Sequence, residues 1–316
     1  MVDSDFSTLR SVLLSKTSDS ENLDQKSSHW LSGTSGFHLN KLKVSGVGGF
    51  SPRTKRLPLS KLYHSILQIL NFENLSVPFN SKYYLLSDTA LRLQSRSLDN
   101  DALRNVFTLN LLDKIFGLYD RVICVIGDGQ AHFCSPLLLA NNKNKVISVN
   151  LPEVLLSDLE LIQHLGLSRD SVSICRTKND LTAFLASDSS KLAMICASDS
   201  NILKCQPIDI FVNIASFQEM TIKVIENYFE IIKSSINGAY LYCCNRKEKI
   251  LIGGEVLAFY AYPWSNYSEI LIDEPCPWHL LFYTAFVKKY IPLPHIRRKF
   301  DGIVLHRLVK YPANYS

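Results

Sequence analysis

Residues 121–152, RVICVIGDGQAHFCSPLLLANNKNKVISVNLP, constrain the fold of this chain more than any other stretch. A continuous apolar run over 122–126 stops at Gly127-Asp128-Gly129. A helical pattern follows, then a second apolar run over 146–149 that ends at Asn150. Two buried strands joined through a glycine turn and a helix make one βαβ unit. Open sheets built from such units bind nucleotide-like ligands in the crevice at the carboxyl ends of their strands. Gly127 and Gly129 can take dihedrals closed to other residues and let the backbone approach a ligand closely.

The glycine pattern narrows the ligand. In G-D-G-Q-A, Ala131 stands where a third glycine often sits, and His132 follows. This is neither the G-x-G-x-x-G dinucleotide fingerprint nor a Walker loop, which needs a following Gly-Lys-Ser/Thr. The short G-x-G form is more typical of sheets that hold S-adenosylmethionine. Such sites usually place a carboxylate on the ribose hydroxyls at the end of the second strand. Asn150 stands there, an amide that both donates and accepts. The plain alternative is a tight βα turn that binds nothing.

After Asn150 the alternation continues. Residues 151–165 read as a helix with Pro152 in its first turn. Strands are predicted over 172–175, 193–197, 208–214 and 239–244, with a helix over 221–234. The strand ends carry Ser198-Asp199-Ser200, NIASFQEM and Asn245-Arg246. Strands alternating with helices imply an α/β fold: a Rossmann-like, doubly wound, mostly parallel sheet. Upstream, Leu9, Val12 and Leu13 mark a short helix, and Trp30 anchors the next. GVGGFSP at 46–52 is a loop, and helices are expected over 59–70 and over 99–116, the latter capped by Asp99 or Asn100. Residues 1–115 therefore form an N-terminal helical cover region. Residues 116–316 form the Rossmann-like domain, with an irregular aromatic segment after 250.

With 47% apolar and 20% charged residues, the 316-residue chain has the composition of an ordinary globular protein with a large core. A net charge of +5, spread along the chain, argues against a dedicated nucleic-acid binder. The densest basic cluster near the N-terminus, Arg53, Lys55 and Arg56, reads as a solvated loop. Several of the eight cysteines sit in apolar strand patterns, where free thiols behave as small hydrophobes. That usage fits a reducing, cytoplasmic setting rather than a disulfide framework. No apolar stretch approaches the roughly 18 residues of a membrane span, and the first residues, with early acids, do not form a secretory signal.

Six segments together carry a resemblance: LPE at 151–153, FQEM at 217–220, YCCNRKEK at 242–249, YPW at 262–264, DEPCPWH at 273–279 and RKFDGIVLHRLV at 298–309. In order and spacing they resemble the sugar O-methyltransferase family of bacteria, over residues 28–310 and most densely after 208. The resemblance implies a class I S-adenosylmethionine-dependent methyltransferase fold and methyl transfer to a sugar hydroxyl. It further implies a sugar or glycan as substrate and a place in surface-polysaccharide biosynthesis. In the family pattern an acidic residue precedes the first motif glycine, where this chain has Val125, and an Asp precedes LPE, where it has Asn150. Asp128 and Asp199, in predicted loops at the carboxyl edge, are candidates to compensate. The cofactor set expected is Gly127, Asp128, Gly129, Asn150, Leu151, Asp199 and Ser216.

Methyl transfer is an in-line displacement, so alignment of the reactants dominates. A sugar hydroxyl is a poor nucleophile, and a general base helps. Two candidates stand out. Glu219 directly follows a strand, although it would equally complement the dipole of the next helix. His279 lies in a Pro-Trp-His context and titrates naturally near neutral pH; it is slightly favoured. His306 sits in a strand pattern and reads as structural, whereas His132 is better placed to touch cofactor or solvent than to act as a base. Asn245 and Arg246 could fix sugar hydroxyls or a phosphate. Tyr262, Trp264 and Trp278 could stack on a sugar face, or simply fill core. Cys276-x-x-His279 with Cys243 and Cys244 supplies zinc-type ligands, but adjacent strand residues point to opposite faces, so no metal is expected. The rival readings are a catalytically degenerate methyltransferase-like binding module and a nicotinamide oxidoreductase; the missing third glycine and ribose carboxylate count against the second.

Overall fold

β1 (Val122–Ile126) is buried from both sides. Ile123 and Val125 enter one core, and Cys124 and Ile126 enter the core on the opposite face. Only a strand covered on both faces needs an unbroken apolar run. β1 pairs in parallel with β2 (Lys145–Asn150) and with β5 (Ile210–Ile214). The other strands of the main sheet are β3 (Val172–Ile174), β4 (Leu192–Cys196), β6 (Ala239–Arg246), β7 (Glu269–Pro275) and β8 (Val304–Tyr311). The eight-stranded order is β3-β4-β2-β1-β5-β6-β8-β7. β8 is antiparallel to both neighbours, β6 and β7; the remaining pairings are parallel. This is the expected Rossmann-like, mostly parallel sheet. The segment after 250, read from sequence as irregular, contributes two of its strands.

The computed structural model describes residues 6–17, 26–40, 43–45, 62, 66, 77–140, 143–266, 268–279, 281–284, 287–288, 291–292, 296–299 and 302–313. The expected loop at 46–52, the cluster Arg53, Lys55 and Arg56, and nearly all of the helix expected over 59–70 lie outside the described residues. Among the described residues no helix is long and apolar enough to cross a membrane.

The N-terminal helices cover one face. α1 (Ser7–Thr17), α3 (Lys82–Leu93) and α4 (Asn100–Phe116) place Leu9, Leu13, Tyr83, Leu103 and Val106 in the core beneath β1. The short α2 (Ser28–Gly33) carries Trp30, which packs with Leu151, Val154 and Ala197. α5 (Cys134–Leu139) and α6 (Pro152–Ile162) share the face of α1 and α4. On the other face, α7 (Lys178–Ala186) and α8 (Ile222–Lys233) bury Leu181, Phe184, Ile225 and Phe229. Local signals set the helix ends. Asp99 accepts from the Ala102 N–H at 2.9 Å, a cap worth about 1 kcal/mol. Thr177 and Asp180 form a reciprocal capping box on α7, and Gly117 closes α4 in the left-handed conformation.

Candidate functional site

The strand order reverses around β1: the chain moves outward through β2 on one side and through β5 on the other. Beyond the carboxyl ends of these strands lies a cavity of about 500 Å³, within the size range of small-molecule sites. Val125, Gly127, Asp128 and Gly129 line it from β1 and its turn, and Asn150 from β2. Ile214, Ala215, Ser216, Gln218 and Glu219 line it after β5, and Arg246 after β6. His279 and Val304 come from the C-terminal part, and Trp30, Asn100, Asp101, Arg104 and Asn105 from α2 and α4. The wall thus draws on both sides of the 115/116 division expected from sequence.

The glycine turn is shaped by Asp128. Its carboxylate accepts from the Phe133 N–H at 3.0 Å and the Cys134 N–H at 2.7 Å, so it ties down the start of α5. Burial pushes its carboxyl above the ordinary carboxylate value, against the opposing pull of those two N–H groups. Asp128 lines the cavity, but its oxygens are spent on the turn. Gly127 has φ +80°, and a Cβ built there would overlap the Ser216 side chain. The glycine is therefore demanded by the close approach of the β1 and β5 loops, beyond any approach of a ligand. Gln130 (φ 62°), Ala131 (φ 51°) and Ala215 (φ 57°) also sit in the left-handed region. Gln130 and Ala215 line the cavity in this conformation and mark a site whose shape the surroundings enforce.

Behind the turn, Arg96 holds Gln130 and His132. Its Nη2 donates to Gln130 Oε1 at 2.5 Å and lies 2.6 Å from His132 Nε2. A guanidinium only donates, so Nε2 accepts and the imidazole proton sits on Nδ1. Burial, the largest cause, and Arg96 hold the His132 pKa below its ordinary value, with Asp99 opposing.

Asn150 is buried, and its Oδ1 accepts from the Leu151 N–H at 3.0 Å. Leu151 does not line the cavity; it packs with Trp30, Val154 and Ala197. Asp199 is paired with Lys16 at 3.1 Å, away from the lining. Glu219 lies in a short turn before α8, whose N-cap is Thr221. Its carboxylate meets Lys249 at 2.9 Å and His29 Nε2 at 3.4 Å. Its carbonyl accepts from the Ser27 hydroxyl. With the buried Lys26–Glu153 pair at 2.6 Å, these contacts hold residues 26–29 in place next to Trp30, which lines the cavity.

His279 lines the cavity while its Nδ1 faces Cys276 Sγ at 3.2 Å and Cys244 Sγ at 3.7 Å. Burial, then Arg104 and His306, push its pKa well below the ordinary histidine value. Asn245 is fully buried and bonded within the fold, and it does not line the cavity; Arg246 does. Tyr262 and Trp264 belong to an aromatic cluster with Phe217, Phe229 and Phe259 on the far face of the sheet. Trp278 stacks on Phe107, with ring centroids 5.6 Å apart and planes 9° from parallel. None of these three rings lines the cavity. Sequence reasoning missed Trp30, Arg104 and Asn105, which reach the site from remote segments with no local motif, and passed over Gln218, which lies in FQEM between Ser216 and Glu219. The capping pattern at Asp99 located α4 but not the face it turns to the cavity.

No protein-family model matches the chain, and no curated protein matches it. Several solved structures resemble it. A SAM-dependent methyltransferase from Aquifex aeolicus is 12% identical, with a TM-score of 0.37 over 74% of this chain and 99% of that one. The O-methyltransferase TomG from Streptomyces achromogenes, involved in tomaymycin synthesis and solved with SAM, is 11% identical (TM-score 0.38; 81% and 100% covered). Cofactor-bound Rv0187 from MTB is 11% identical (TM-score 0.42; 82% and 100% covered). Likeness at this level does not extend to activity. The class rests on the chain's own architecture: a Rossmann-like α/β protein with a cavity of mixed polar and apolar lining at the point where its strand order reverses.

Proposed function

We propose that this chain is an S-adenosylmethionine-dependent O-methyltransferase whose acceptor is a sugar or glycan hydroxyl. The observation that carries the reading is the cavity at the carboxyl ends of β1, β2 and β5, with the short glycine turn at its floor and Asn150 at the second strand end. Open α/β sheets bind nucleotide-like ligands at that place. Gly127, Gly129 and Asn150 would hold the cofactor, the glycines by close backbone approach and the amide by bonds to ribose hydroxyls. The bound cofactor would supply an electrophilic methyl group. Asp128 would act through the turn it shapes rather than by contact. Ser216 would close the floor from the β5 side.

The acceptor half of the cavity supports a hydroxyl-rich ligand. Asn100, Asn105, Gln218, Arg104 and Arg246 line it, and amides and guanidiniums match polyol hydroxyls as donors and acceptors. Glu219 is the stronger candidate for the base. Its carboxylate lines the cavity and keeps acceptor capacity beyond its contacts with Lys249 and His29. His279 has its Nδ1 against two thiols and little basicity.

Calorimetry with S-adenosylmethionine, its demethylated product and NAD tests the reading. Binding of the first two and not the third is expected. Binding of NAD alone would replace it with the oxidoreductase reading, and binding of none with a module that has lost the cofactor.

A further inference from the structure

Two strands and a turn bring three soft metal ligands to one point under the cavity wall. Cys244 lies near the end of β6, Cys276 precedes the turn Pro277–His279, and His279 ends it. Cys276 Sγ, Cys244 Sγ and His279 Nδ1 all lie within 4.8 Å of one another, and all three residues are buried. The adjacent Cys243 enters the core on the opposite face, as strand alternation requires, so only one of the pair takes part. We propose that Cys244, Cys276 and His279 bind one Zn²⁺ through three protein ligands, with its fourth coordination position turned to the cavity that His279 lines.

The distances fit. Tetrahedral zinc with Zn–S of about 2.3 Å and Zn–N of about 2.1 Å sets its sulfur and nitrogen ligands roughly 3.6 Å apart. The observed S···N separations are 3.2 and 3.7 Å. The ligand set fits as well, since two thiolates and an imidazole nitrogen suit zinc and disfavour magnesium or calcium. Supporting groups are in place. The Trp278 backbone N–H reaches the Cys276 sulfur, and the Tyr242 hydroxyl reaches Cys244. The His279 N–H donates to the Cys276 carbonyl at 3.1 Å, fixing the turn that carries both side chains. Such outer contacts orient metal ligands and tune the thiolates. Among the described residues three protein ligands meet here, which leaves one position open, the arrangement of reactive zinc sites rather than closed structural ones. This inference does not depend on methyl transfer, and its tests read metal rather than turnover.

The full chain, purified without chelator, should carry one zinc by elemental analysis. Cys276→Ser and Cys244→Ser should each lose it, while Cys205→Ser, at an exposed thiol, should keep it. Zinc retained in both ligand variants would overturn the site, as would a metal-free wild-type chain that does not take up zinc. If a ligand variant fails to fold, cobalt added to the stripped wild-type chain decides instead. Thiolate-to-cobalt charge-transfer bands with tetrahedral ligand-field bands are expected, and their absence refutes the proposal. Azide should shift those bands; unshifted bands would refute the open fourth position. Thiol titration of the unfolded chain without reductant should find all eight cysteines. A shortfall of two, traced to a Cys244–Cys276 disulfide, would overturn the proposal.

Discussion

Asn245 donates from Nδ2 to Asn213 Oδ1 at 2.8 Å, and this bond between buried amides joins the ends of β6 and β5. Asn213 also donates to the Ile126 carbonyl at 3.0 Å and accepts from the Phe217 N–H at 3.0 Å, and Asn245 Oδ1 accepts from the Gln218 N–H at 3.1 Å. Two side chains thus fix three strand ends and the turn that delivers Gln218 and Glu219. Asn245→Leu leaves the Gln218 N–H without its partner and removes a donor from Asn213. Each buried group left unpaired costs about 1–3 kcal/mol. The variant's denaturant midpoint should fall accordingly; an unchanged midpoint would remove the latch from the account.

Gly127→Val should weaken both folding and cofactor binding. The side chain meets Ser216, and the φ of +80° disfavours any β-branched residue. The sequence alone suggests a folded protein that merely loses its ligand. The observed contact instead predicts a lower melting temperature together with lost S-adenosylmethionine binding. A variant with wild-type melting and wild-type affinity would show that the loops can part at no cost.

At the second strand end, Asn150→Asp should keep or improve affinity, because a carboxylate accepts two hydroxyl bonds. Asn150→Leu should lose on the order of 1–3 kcal/mol. Calorimetry on the three proteins separates them, and equal binding would move the ribose elsewhere.

Glu219→Gln keeps the size of the side chain and removes its basicity. Methyl transfer should slow by roughly 10²–10⁴-fold with cofactor affinity retained. Normal turnover would leave alignment as the sole source of rate.

His132 links stability to pH. Its folded pKa is lowered by burial, so the unfolded chain takes up the proton first. Its contribution is complete above the ordinary histidine value of 6.5 and is lost as pH falls from there toward the folded value. His132→Gln should be less stable at neutral pH yet show a flatter fall in melting temperature between about pH 7 and pH 5. A slope equal to wild type would assign the acid sensitivity to other groups.

The parallel half of the sheet was legible because burial on both faces forces an apolar residue at every position, as in Val122–Ile126. Asp99 and Pro152 signalled helix starts through local chemistry that works in isolation. β7 was not legible. Its residues are mostly exposed, and its partner β8 lies some thirty residues further on, so no local period marks it. α3 was missed because Ser87 and Ala90 share its buried face with Tyr83 and Tyr84. The site was half legible. Strand ends pointed to Gly127, Asn150, Ser216 and Glu219, but not to Arg104 or Trp30, whose side of the cavity is set by packing between distant segments. Cys243, Cys244, Cys276 and His279 were visible as zinc-type ligands, but spacing could not show that Cys244, 35 residues from His279, would meet it.

The insertion of β8 between β6 and β7 imposes an order in time. Among the described residues β7 pairs with the sheet through β8 alone, which comes after it in the chain. Until residues 304–311 arrive, β6 ends the sheet with an open row of backbone donors and acceptors, and β7 has nowhere to dock. A growing chain therefore exposes a sticky margin until β8 emerges, beside the wall that carries Cys244. Closing that margin is a long-range step, slow by its nature and vulnerable to pairing with a neighbour. The strand that joins β7 to the sheet is made after β7 itself.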